Sequence, residues 1–565
     1  MKTLLSVTLC KYLKDFAAED IEALLEQPPE EMMGDYSLPC FSLAKKMKKS
    51  PMMIADELKK ALDADPDHAM LAELKSVNGY LNIYLNKSYY IHYVLSNTLY
   101  PIKDLGSVGA GEVICMDYSS PNIAKNFHVG HLRTTVIGNS LYKIYRKLGY
   151  QVIRINHLGD WGTQFGKLIA AYQHWGSKEQ IEHDGIQELI RLYILFNTEA
   201  HANPLLKDEA RCWFSKMEQG DEEALSIWKW FKEISLKEFD RIYQLLGIEF
   251  DYVLGESFYM DKVPALINEL KEKELLEVSQ GANIVNLDAF NMPPCLITKS
   301  DGSSIYHSRD MAAILYRKKE YHFDRCVYIT GLEQQLHFAQ VFKAVELMGY
   351  EWANDLVHIP YGLVSLEGEK LSSRTGNIIY AEEILKEAIM RSQTLIAQKN
   401  PNIENMEQIS IMIGVGAIIF HDLFNQRIKN VSFSWQEVLS FDGATGPYVQ
   451  YTYARAKSII RKCSSDQIPT DINTAILVDD PSYNLIRTIA SYHDKVKEAA
   501  DKYEPSVIAR YVWKLAAAFN KFYHECNILN SEKETKEARL LLVYLTQSII
   551  KEAMELLGIQ CPEEM

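Results

Sequence analysis

The residues from Val113 to Ile155 constrain the fold more strongly than any other segment. Val113-Ile114-Cys115-Met116 is an apolar run that predicts a buried strand. Val152-Ile153-Arg154-Ile155 predicts a second strand just after Gly149, which stops the helical pattern between them. That pattern consists of Leu132, Val136, Leu141, Ile144 and Leu148. A strand, a helix and a strand over this length form a βαβ unit, so we predict a parallel sheet.

The length and the cysteine content narrow the class of protein. The 565 residues exceed the size at which a single core keeps growing, so we expect three or four domains. Apolar residues make up 47% of the chain and charged residues 24%, as in ordinary globular proteins. The nine cysteines include no C-x-x-C pair, so we expect a reducing compartment and no structural zinc site.

The net charge of −15 excludes a chain that coats nucleic acid indiscriminately, because such binding needs Lys and Arg to neutralise phosphates. Lys45-Lys46-Met47-Lys48-Lys49 is a local patch for phosphate contacts, although short charged runs are also typical of solvated helix faces. Residues 1–16 predict an amphipathic helix rather than a signal peptide. No later stretch holds about 18 uninterrupted apolar residues. We expect a cytoplasmic protein without a membrane span.

Strand and helix patterns divide the chain into segments. Residues 34–39 break a helical pattern, and Asn78-Gly79 predicts a turn before the alternating strand Tyr80–Leu85. Cys326–Gly331 is the clearest later strand, and beyond about 380 the pattern is helical except for an irregular stretch from Ser464 to Pro481. The expected architecture is α/β and multidomain: a small N-terminal α/β domain (1–105), a parallel-sheet domain (106–380) with a helical insertion near 170–245, a connecting helical region (381–444) and an α-helical domain (445–565).

Two histidines surround a glycine where the predicted helix after the first strand begins. Doubly wound sheets place ligands at the carboxyl ends of their strands, and a helix N-terminus suits phosphate. Gly130 lets a flat adenine or ribose lie against the backbone. His128 and His131, one turn apart, can donate hydrogen bonds to phosphate oxygens. Such a pair can also bind a metal, but no third His, Cys or acid pair nearby completes that site.

A polar loop is predicted late in the same sheet. Lys370-Leu371-Ser372-Ser373-Arg374-Thr375-Gly376-Asn377 follows a strand around Val357–Ile359. Its two cations, hydroxyls and glycine suit a loop that folds over a triphosphate and stabilises charge building on it. By itself, the segment fits an exposed polar loop equally well.

Together the two segments resemble the signature motifs of class I aminoacyl-tRNA synthetases, and the surrounding residues resemble the arginyl-tRNA synthetases. The resemblance runs from end to end. Its motifs are M-G-D-Y-S-L-P, S-S-P-N-I-A-K-N-F-H-V-G-H, N-H-L-G-D-W-G-T-Q-F-G, K-S-D-G-S-S-I-Y-H-S-R-D, G-P-Y-V-Q-Y-T-Y-A-R and the closing L-L-G-I-Q-C-P-E-E-M. It implies a Rossmann-like catalytic domain, an N-terminal domain that contacts the tRNA elbow and an α-helical anticodon-binding domain.

The second motif departs from the family pattern. Where class I motifs usually read K-M-S-K-S, Ser373 stands in place of the second lysine. Family members with this gap resemble the chain in carrying a lysine just before the histidine motif. Lys125 is that residue, and with Lys370 and Arg374 it is expected to neutralise the leaving pyrophosphate. The implied ATP site, with Mg²⁺ accompanying the ATP, consists of His128, Gly130, His131, Lys370, Ser372 and Ser373.

A pocket for a guanidinium group is predicted at Tyr306 and Asp310, which lie four apart at a helix start. The carboxylate can accept a forked pair of N–H bonds and the tyrosine ring can cover the planar group. A structural Tyr–Asp pair would show the same pattern. Lysine would leave part of the fork unpaired, so we expect no editing domain. The resemblance adds contacts to arginine from Asp117, near the ammonium group, and from Asn122, His128 and Gln334.

The resemblance implies a reaction in two steps. The arginine carboxylate attacks the α-phosphate of ATP to give arginyl-adenylate and pyrophosphate, and the terminal ribose hydroxyl of arginine tRNA then takes the acyl group. No protein nucleophile is needed, so catalysis rests on positioning and charge stabilisation. Tyrosines of the C-terminal region can stack on loop bases, although they equally suit a bundle core. The implied tRNA contacts are Tyr448, Tyr451, Tyr523 and Met565.

Two other functions fit parts of the sequence. A cysteine-specific class I synthetase would need a zinc-binding cysteine set, and a glutamate-specific one would need a cationic pocket where Asp310 stands. A tRNA-binding regulator that kept the fold and lost catalysis is the other alternative. The intact His128, His131, Lys125, Lys370 and Asp310 argue against it. The resemblance implies a monomer that needs bound tRNA even for the adenylate step.

Overall fold

The computed structural model describes residues 1–28, 30, 33–65, 69–97, 105–300, 302–366, 369–370, 380–463 and 472–565. The chain divides into two compact units. The first comprises Met1–Asp104, Ala456–Tyr492 and Lys514–Ile549, and the second comprises Leu105–Arg455, His493–Trp513 and Ile550–Met565. The domain boundaries that the sequence suggested stay a prediction.

The N-terminal part of the first unit is a three-stranded antiparallel sheet with helices, as predicted. Its elements are α1 (Lys2–Cys10), α2 (Ala18–Leu24), β1 (Tyr36–Pro39), α3 (Phe41–Met47), α4 (Pro51–Asp63), β2 (Leu71–Val77), β3 (Tyr80–Leu85) and α5 (Lys87–Asn97). The strand order is β1-β3-β2. Residues 34–39 were expected only to break a helix, but they contain β1, which pairs with β3 and buries Leu38 completely.

The turn between β2 and β3 depends on its glycine. Asn78 and Gly79 have φ values of 50° and 82°, in the left-handed region that a two-residue hairpin turn requires. A Cβ atom at Gly79 would also lie 2.9 Å from Cβ of Pro51. The predicted turn is therefore confirmed, and glycine is the residue that fits it.

The second unit begins with the predicted strand, helix and strand: β4 (Val113–Asp117), α6 (Val129–Lys147) and β5 (Gln151–Asn156). The insertion is helical as predicted, with α7 (Thr163–Trp175), α8 (Lys178–Asp184), α9 (Ile186–Ala202), α10 (Leu205–Glu218) and α11 (Glu222–Leu246). The chain continues through β6 (Tyr252–Val253), α12 (Glu256–Tyr259), α13 (Val263–Glu272), β7 (Leu276–Ser279), β8 (Ala282–Val285), β9 (Cys295–Thr298), α14 (Tyr306–Tyr321), β10 (Arg325–Gly331), α15 (Gln335–Leu347) and β11 (Leu356–Tyr361).

Shorter strands and long helices follow. They are β12 (Val364–Leu366), β13 (Glu369–Lys370), α16 (Ala381–Lys399), α17 (Met406–Phe424), β14 (Val431–Phe433), α18 (Trp435–Val438), α19 (Gly446–Lys462), α20 (Asp480–Ala490), α21 (Tyr492–Asp501), α22 (Ser506–Glu525) and α23 (Lys533–Leu556). The expectation of helix throughout this region is wrong at β14, which pairs in parallel with β12 and buries Val431 and Phe433.

The main sheet has five strands in the order β11-β10-β4-β5-β6, and every neighbouring pair is parallel. The Rossmann-like parallel sheet is therefore confirmed. On β4, Cys115 lies opposite Ile153 of β5 on one side and Cys326 of β10 on the other. After β4 the chain forms β5 beside one edge of that strand, and it later returns to form β10 beside the other edge. Two smaller three-stranded sheets have the orders β7-β8-β9 and β13-β12-β14.

Among the described residues, α17 is the one helix long and apolar enough to cross a membrane. Of its apolar window, 61% is buried inside the protein. Length and composition alone are weak grounds for a membrane span, and burial of this extent is typical of a core helix.

Helix α6 packs closely on the residue that follows β4. A Cβ atom at Gly138 would lie 2.2 Å from Cγ of Tyr118, whose ring is fully buried. Only glycine leaves room for this approach. The contact fixes the distance of α6 from the sheet, and with it the position of the helix N-terminus.

We expect Gly138→Ala to destabilise the second unit by about 1–3 kcal/mol through overpacking, although alanine favours a helix by roughly 1 kcal/mol over glycine. Thermal melting followed by circular dichroism measures the change. Arg146→Ala, at an exposed position of the same helix, is the control and should stay near the wild-type melting temperature. A higher melting temperature for Gly138→Ala would contradict the packing argument.

Candidate active site

A cleft of about 1220 Å³, part of it open to solvent, lies at the carboxyl ends of the central parallel strands. It is lined by Ser119, Ser120, Asn122, His128, Val129, Gly130, His131, Arg133, Thr134, Ile329, Thr330, Glu333, Gln334, Tyr361, Gly362, Leu363 and Val364. These residues follow β4, lie in the first turns of α6, end or follow β10, and run from the end of β11 to the start of β12. This is the point where the strand order reverses, and doubly wound sheets bind ligands there.

The two histidines of the first motif cap α6. Nδ1 of His128 accepts a hydrogen bond from the backbone N–H of Gly130 at 3.1 Å, and Nδ1 of His131 accepts one from the backbone N–H of His128 at 3.4 Å. Their rings stack with centroids 3.7 Å apart. Because each Nδ1 is an acceptor, each neutral ring carries its proton on Nε2 and donates from there.

Both histidines are neutral at pH 7. Burial, reinforced by the positive charge of Lys125, lowers the pKa of His128 to about 4. Burial and the charges of His128 and Lys125 lower the pKa of His131 well below its usual value. The Lys125 side chain itself is exposed. In the part of the chain that the structure describes, no group of three or more His, Cys, Asp and Glu side chains could hold a metal. The neutral rings, with their protons on Nε2, are suited to donating hydrogen bonds.

Asp310 lies in the first turns of α14 and is bound by a residue of α15. Its Oδ2 accepts a 2.6 Å hydrogen bond from Nε2 of His337, and its Oδ1 lies 3.7 Å from Nε2 of His157. Burial alone would raise the pKa of Asp310, but the His337 hydrogen bond and the favourable electrostatic influence of His337, His157 and Arg317 outweigh it, and the pKa is lowered. The carboxylate is therefore ionised at neutral pH.

Tyr306 begins α14, as predicted, and its side chain is 62% exposed. The guanidinium of Arg309 lies 4.9 Å from its ring centroid. Tyr306 and Asp310 do not line the cleft, whereas the predicted Asn122 and Gln334 do. Oδ2 of Asp310 already accepts a hydrogen bond from His337. A guanidinium that bonded to both carboxylate oxygens would therefore share Oδ2 with His337.

Asp117, at the end of β4, is paired with a cation of the protein. Its Oδ2 lies 2.8 Å from Nη2 of Arg317, and its Oδ1 accepts from Ser120 Oγ at 2.8 Å. Its expected contact with the substrate ammonium stays a prediction. Arg317 was missed in the sequence, although it follows Asp310 by seven residues, a spacing that places both on one face of a helix.

Arg133 was also missed, although an arginine among the apolar positions of a predicted helix was a usable signal. The side chain is fully buried, and its Nη2 donates to the carbonyl oxygens of Arg427 and Lys429, both at 3.0 Å. Arg427 in turn donates from Nη1 to the carbonyl of Pro360 at 2.7 Å. Residues 427–429 are thereby tied to the end of β11 at the edge of the cleft.

The second motif lies mostly outside the described residues. The backbone of Lys370 belongs to β13 and is paired with Ser365, but its side chain is outside the description, as are Ser372, Ser373 and Arg374. On the far side of this segment, Tyr380 pairs with His128 through an isolated bridge. At one described end of the segment, Lys370 therefore pairs with β12 beside the cleft. At the other end, Tyr380 pairs with His128, which lines the cleft. The roles of these four residues stay predictions.

The residues expected to contact tRNA differ in their surroundings. Tyr451 is 39% exposed and Tyr523 is 37% exposed, and the guanidinium of Arg455 lies 4.8 Å from the ring centroid of Tyr451. Tyr448 is half-buried. Met565 is partly buried against a cluster of Ile396, Ile409 and Ile413. This packing gives Met565 a structural role, and the tRNA contacts of all four stay predictions.

Comparison with protein families finds matches along nearly the whole chain. A model described as tRNA synthetases class I (R), catalytic domain, matches residues 97–435. A DALR anticodon binding domain matches residues 449–565, and an arginyl tRNA synthetase N terminal domain matches residues 1–85.

Individual proteins show the same likeness. The chain is 49% identical over 566 aligned residues to an arginine–tRNA ligase of Alkaliphilus metalliredigens, covering 100% of this chain and 99% of that protein. An arginine–tRNA ligase of Clostridioides difficile is 48% identical with the same coverage. Among solved structures, an arginyl-tRNA synthetase of Plasmodium falciparum superposes with a TM-score of 0.81 at 27% identity, covering 100% of this chain and 98% of that one. That of Thermus thermophilus, at 24% identity, covers 100% of both chains with a TM-score of 0.83 and supports the fold.

We expect acidification to destabilise the unit that contains the histidine pair. An unfolded histidine titrates near 6.5, whereas the pKa of folded His128 is about 4. Below pH 6.5 the unfolded state therefore binds a proton that the folded state does not, and stability falls until the pH reaches about 4. The loss from this one group at pH 5 is about 2 kcal/mol.

Melting temperatures at pH 7 and pH 5 test this expectation. His128→Asn lacks the titrating ring, so its melting temperature should fall less than that of the wild type. Equal declines in the two proteins would show that His128 is not held neutral.

Proposed function

The chain belongs to the arginyl-tRNA synthetase family, and we propose on that basis that it joins L-arginine to arginine tRNA while converting ATP to AMP and pyrophosphate. Arginine and ATP first form arginyl-adenylate, and the 3′-terminal ribose of the tRNA then takes the arginyl group. The observation that carries the proposal is the stacked pair of His128 and His131, which lies in the cleft where the strand order reverses. The chain also matches this family along its full length.

ATP would bind in the cleft against the N-terminus of α6. His128 and His131 donate from Nε2 to phosphate or ribose oxygens, and Gly130 lets the nucleotide approach the backbone. Because both rings are neutral, they supply hydrogen bonds without full charge. The charge that builds on the leaving pyrophosphate then needs cations from outside the pair. Lys125, Lys370 and Arg374 are the residues we assign to this role, together with hydroxyls of Ser372 and Ser373.

Mg²⁺ would enter with the ATP. Within the described ranges no side-chain cluster suits a metal cage, which fits an ion held mainly by phosphate oxygens and water. Glu333 is the carboxylate that lines the cleft, and it is our candidate for a protein ligand.

Arginine would bind with its guanidinium toward Asp310. An ionised carboxylate is what a guanidinium needs when it leaves water, because an unpaired buried charge costs about 3–5 kcal/mol. Gln334 and Asn122 line the cleft and would contact the substrate between its two ends. Tyr306 would cover the guanidinium plane, and Asp117 would lie near the ammonium group.

The tRNA would be bound by both ends of the chain. Tyr451 and Tyr523 are partly exposed and would stack on anticodon-loop bases, and Tyr448 and Met565 complete the proposed contacts. The N-terminal α/β domain would meet the tRNA elbow. We propose that the enzyme acts as a cytoplasmic monomer and requires tRNA for the adenylate step.

Pyrophosphate exchange with each amino acid, with and without tRNA, tests the proposed function. We expect arginine alone to support exchange, and only when arginine tRNA is present. Exchange with a different amino acid would indicate another class I synthetase. Silence with every amino acid, together with tRNA binding, would indicate a non-catalytic regulator.

We expect His131→Ala to lower the rate of arginine-dependent exchange by roughly 10² to 10³, because one preorganised donor to transition-state charge is worth about 3–4 kcal/mol. His174→Ala, at an exposed position on α7, is the matched control and should keep the wild-type rate. A near-normal rate in folded His131→Ala would remove His131 from the ATP site.

A further inference from the structure

The two carboxylate oxygens of Asp310 are held unequally. Oδ2 accepts a 2.6 Å hydrogen bond from Nε2 of His337, whereas Oδ1 lies 3.7 Å from Nε2 of His157, which is beyond hydrogen-bond distance. The side chains of Asp310 and His337 are 22% and 20% exposed. Oδ2 is thus bonded to His337, whereas His157 does not reach Oδ1.

His157 is fixed from its far side. Nη2 of Arg317 lies 3.4 Å from Nδ1 of His157, and arginine carries only donors, so this nitrogen accepts and the neutral ring keeps its proton on Nε2. Arg317 is itself anchored by Asp117 at 2.8 Å. His157 is therefore held near Oδ1 of Asp310 without bonding to it.

His337 is backed by a second network. Its ring lies 4.5 Å from that of His307, whose Nε2 lies 3.3 Å from Oε1 of Gln340. The amide nitrogen of Gln340 donates to the carbonyl oxygens of Pro293 and Pro294 at 2.9 and 3.1 Å. Since that nitrogen is used, Oε1 can only accept and His307 must donate. The His307 ring beside His337 is thereby connected through Gln340 to the backbone.

We propose that His337 is a positioning residue for arginine selection, because its bond to Oδ2 turns the Asp310 carboxylate so that Oδ1 faces the substrate guanidinium. This inference rests on the proposed function, in which Asp310 accepts the guanidinium. The terminal torsion of an aspartate is broad, so without this bond the carboxylate would have to be ordered when arginine binds. Loss of the His337 bond should therefore weaken arginine binding and leave ATP binding unchanged.

The test compares two amides at position 337. Gln places an N–H close to the position of Nε2, whereas Asn carries the same amide on a side chain one methylene shorter and stops short of it. In tRNA-saturated pyrophosphate exchange, we expect His337→Asn to raise KM for arginine at least tenfold, about 1.4 kcal/mol, with KM for ATP within twofold of wild type. His337→Gln should stay within threefold for both substrates. Gln335→Ala, at an exposed position of the same helix, is the control.

The outcomes separate the inference from the proposed function. If the wild type shows no arginine-dependent exchange, the proposed function is wrong. If the wild type is active and folded His337→Asn keeps its KM for arginine, the positioning role is wrong while the function stands. Equal increases in both KM values, a fall in kcat alone, or no recovery in His337→Gln would likewise overturn it. Melting temperatures confirm folding, and if His337→Asn does not fold, His337→Leu takes its place.

Discussion

The site depends on the parallel pairing of β4 with β5 on one side and with β10 on the other. Because the connections from β4 run to opposite sides of the sheet, a crevice opens at its carboxyl end. The backbone amides of α6 start in that crevice, and Tyr118 against Gly138 sets how closely the helix approaches. The histidine pair has its position because this one strand has neighbours on both sides.

Charge is distributed around the cleft in a way that follows from burial. The histidines on the floor are desolvated and neutral, so they can bind oxygen atoms without repelling a cationic substrate. Buried cations instead have acceptors of their own: Arg317 has Asp117, and Arg133 has backbone carbonyls. A low-dielectric interior requires such pairing. Asp310 is ionised, and its Oδ2 is bonded to His337.

Sequence patterns predicted the strands and helices whose buried positions follow a regular apolar pattern. Strands β4 and β10 are largely apolar, as is typical of parallel strands covered on both faces, and α6 shows an apolar face. Strand β5 carries Val152, Ile153 and Ile155 around Arg154. The patterns failed at β1 and β14, which are only four and three residues long. Such short strands form because a partner is already in place, and no periodicity can be read from so few residues.

By itself, the sequence determined the fold class, the family and the histidine motif of the cleft, because strand patterns and contiguous motifs are local. Asn122, His128 and His131 belong to one such motif, and the helix N-terminus is encoded beside it. Only the tertiary structure decided which atoms of these residues are engaged. His337 and Arg317 come from different elements and meet around Asp310 and His157. Hydrogen-bond direction and side-chain orientation depend on those packing contacts, and a linear pattern does not contain them.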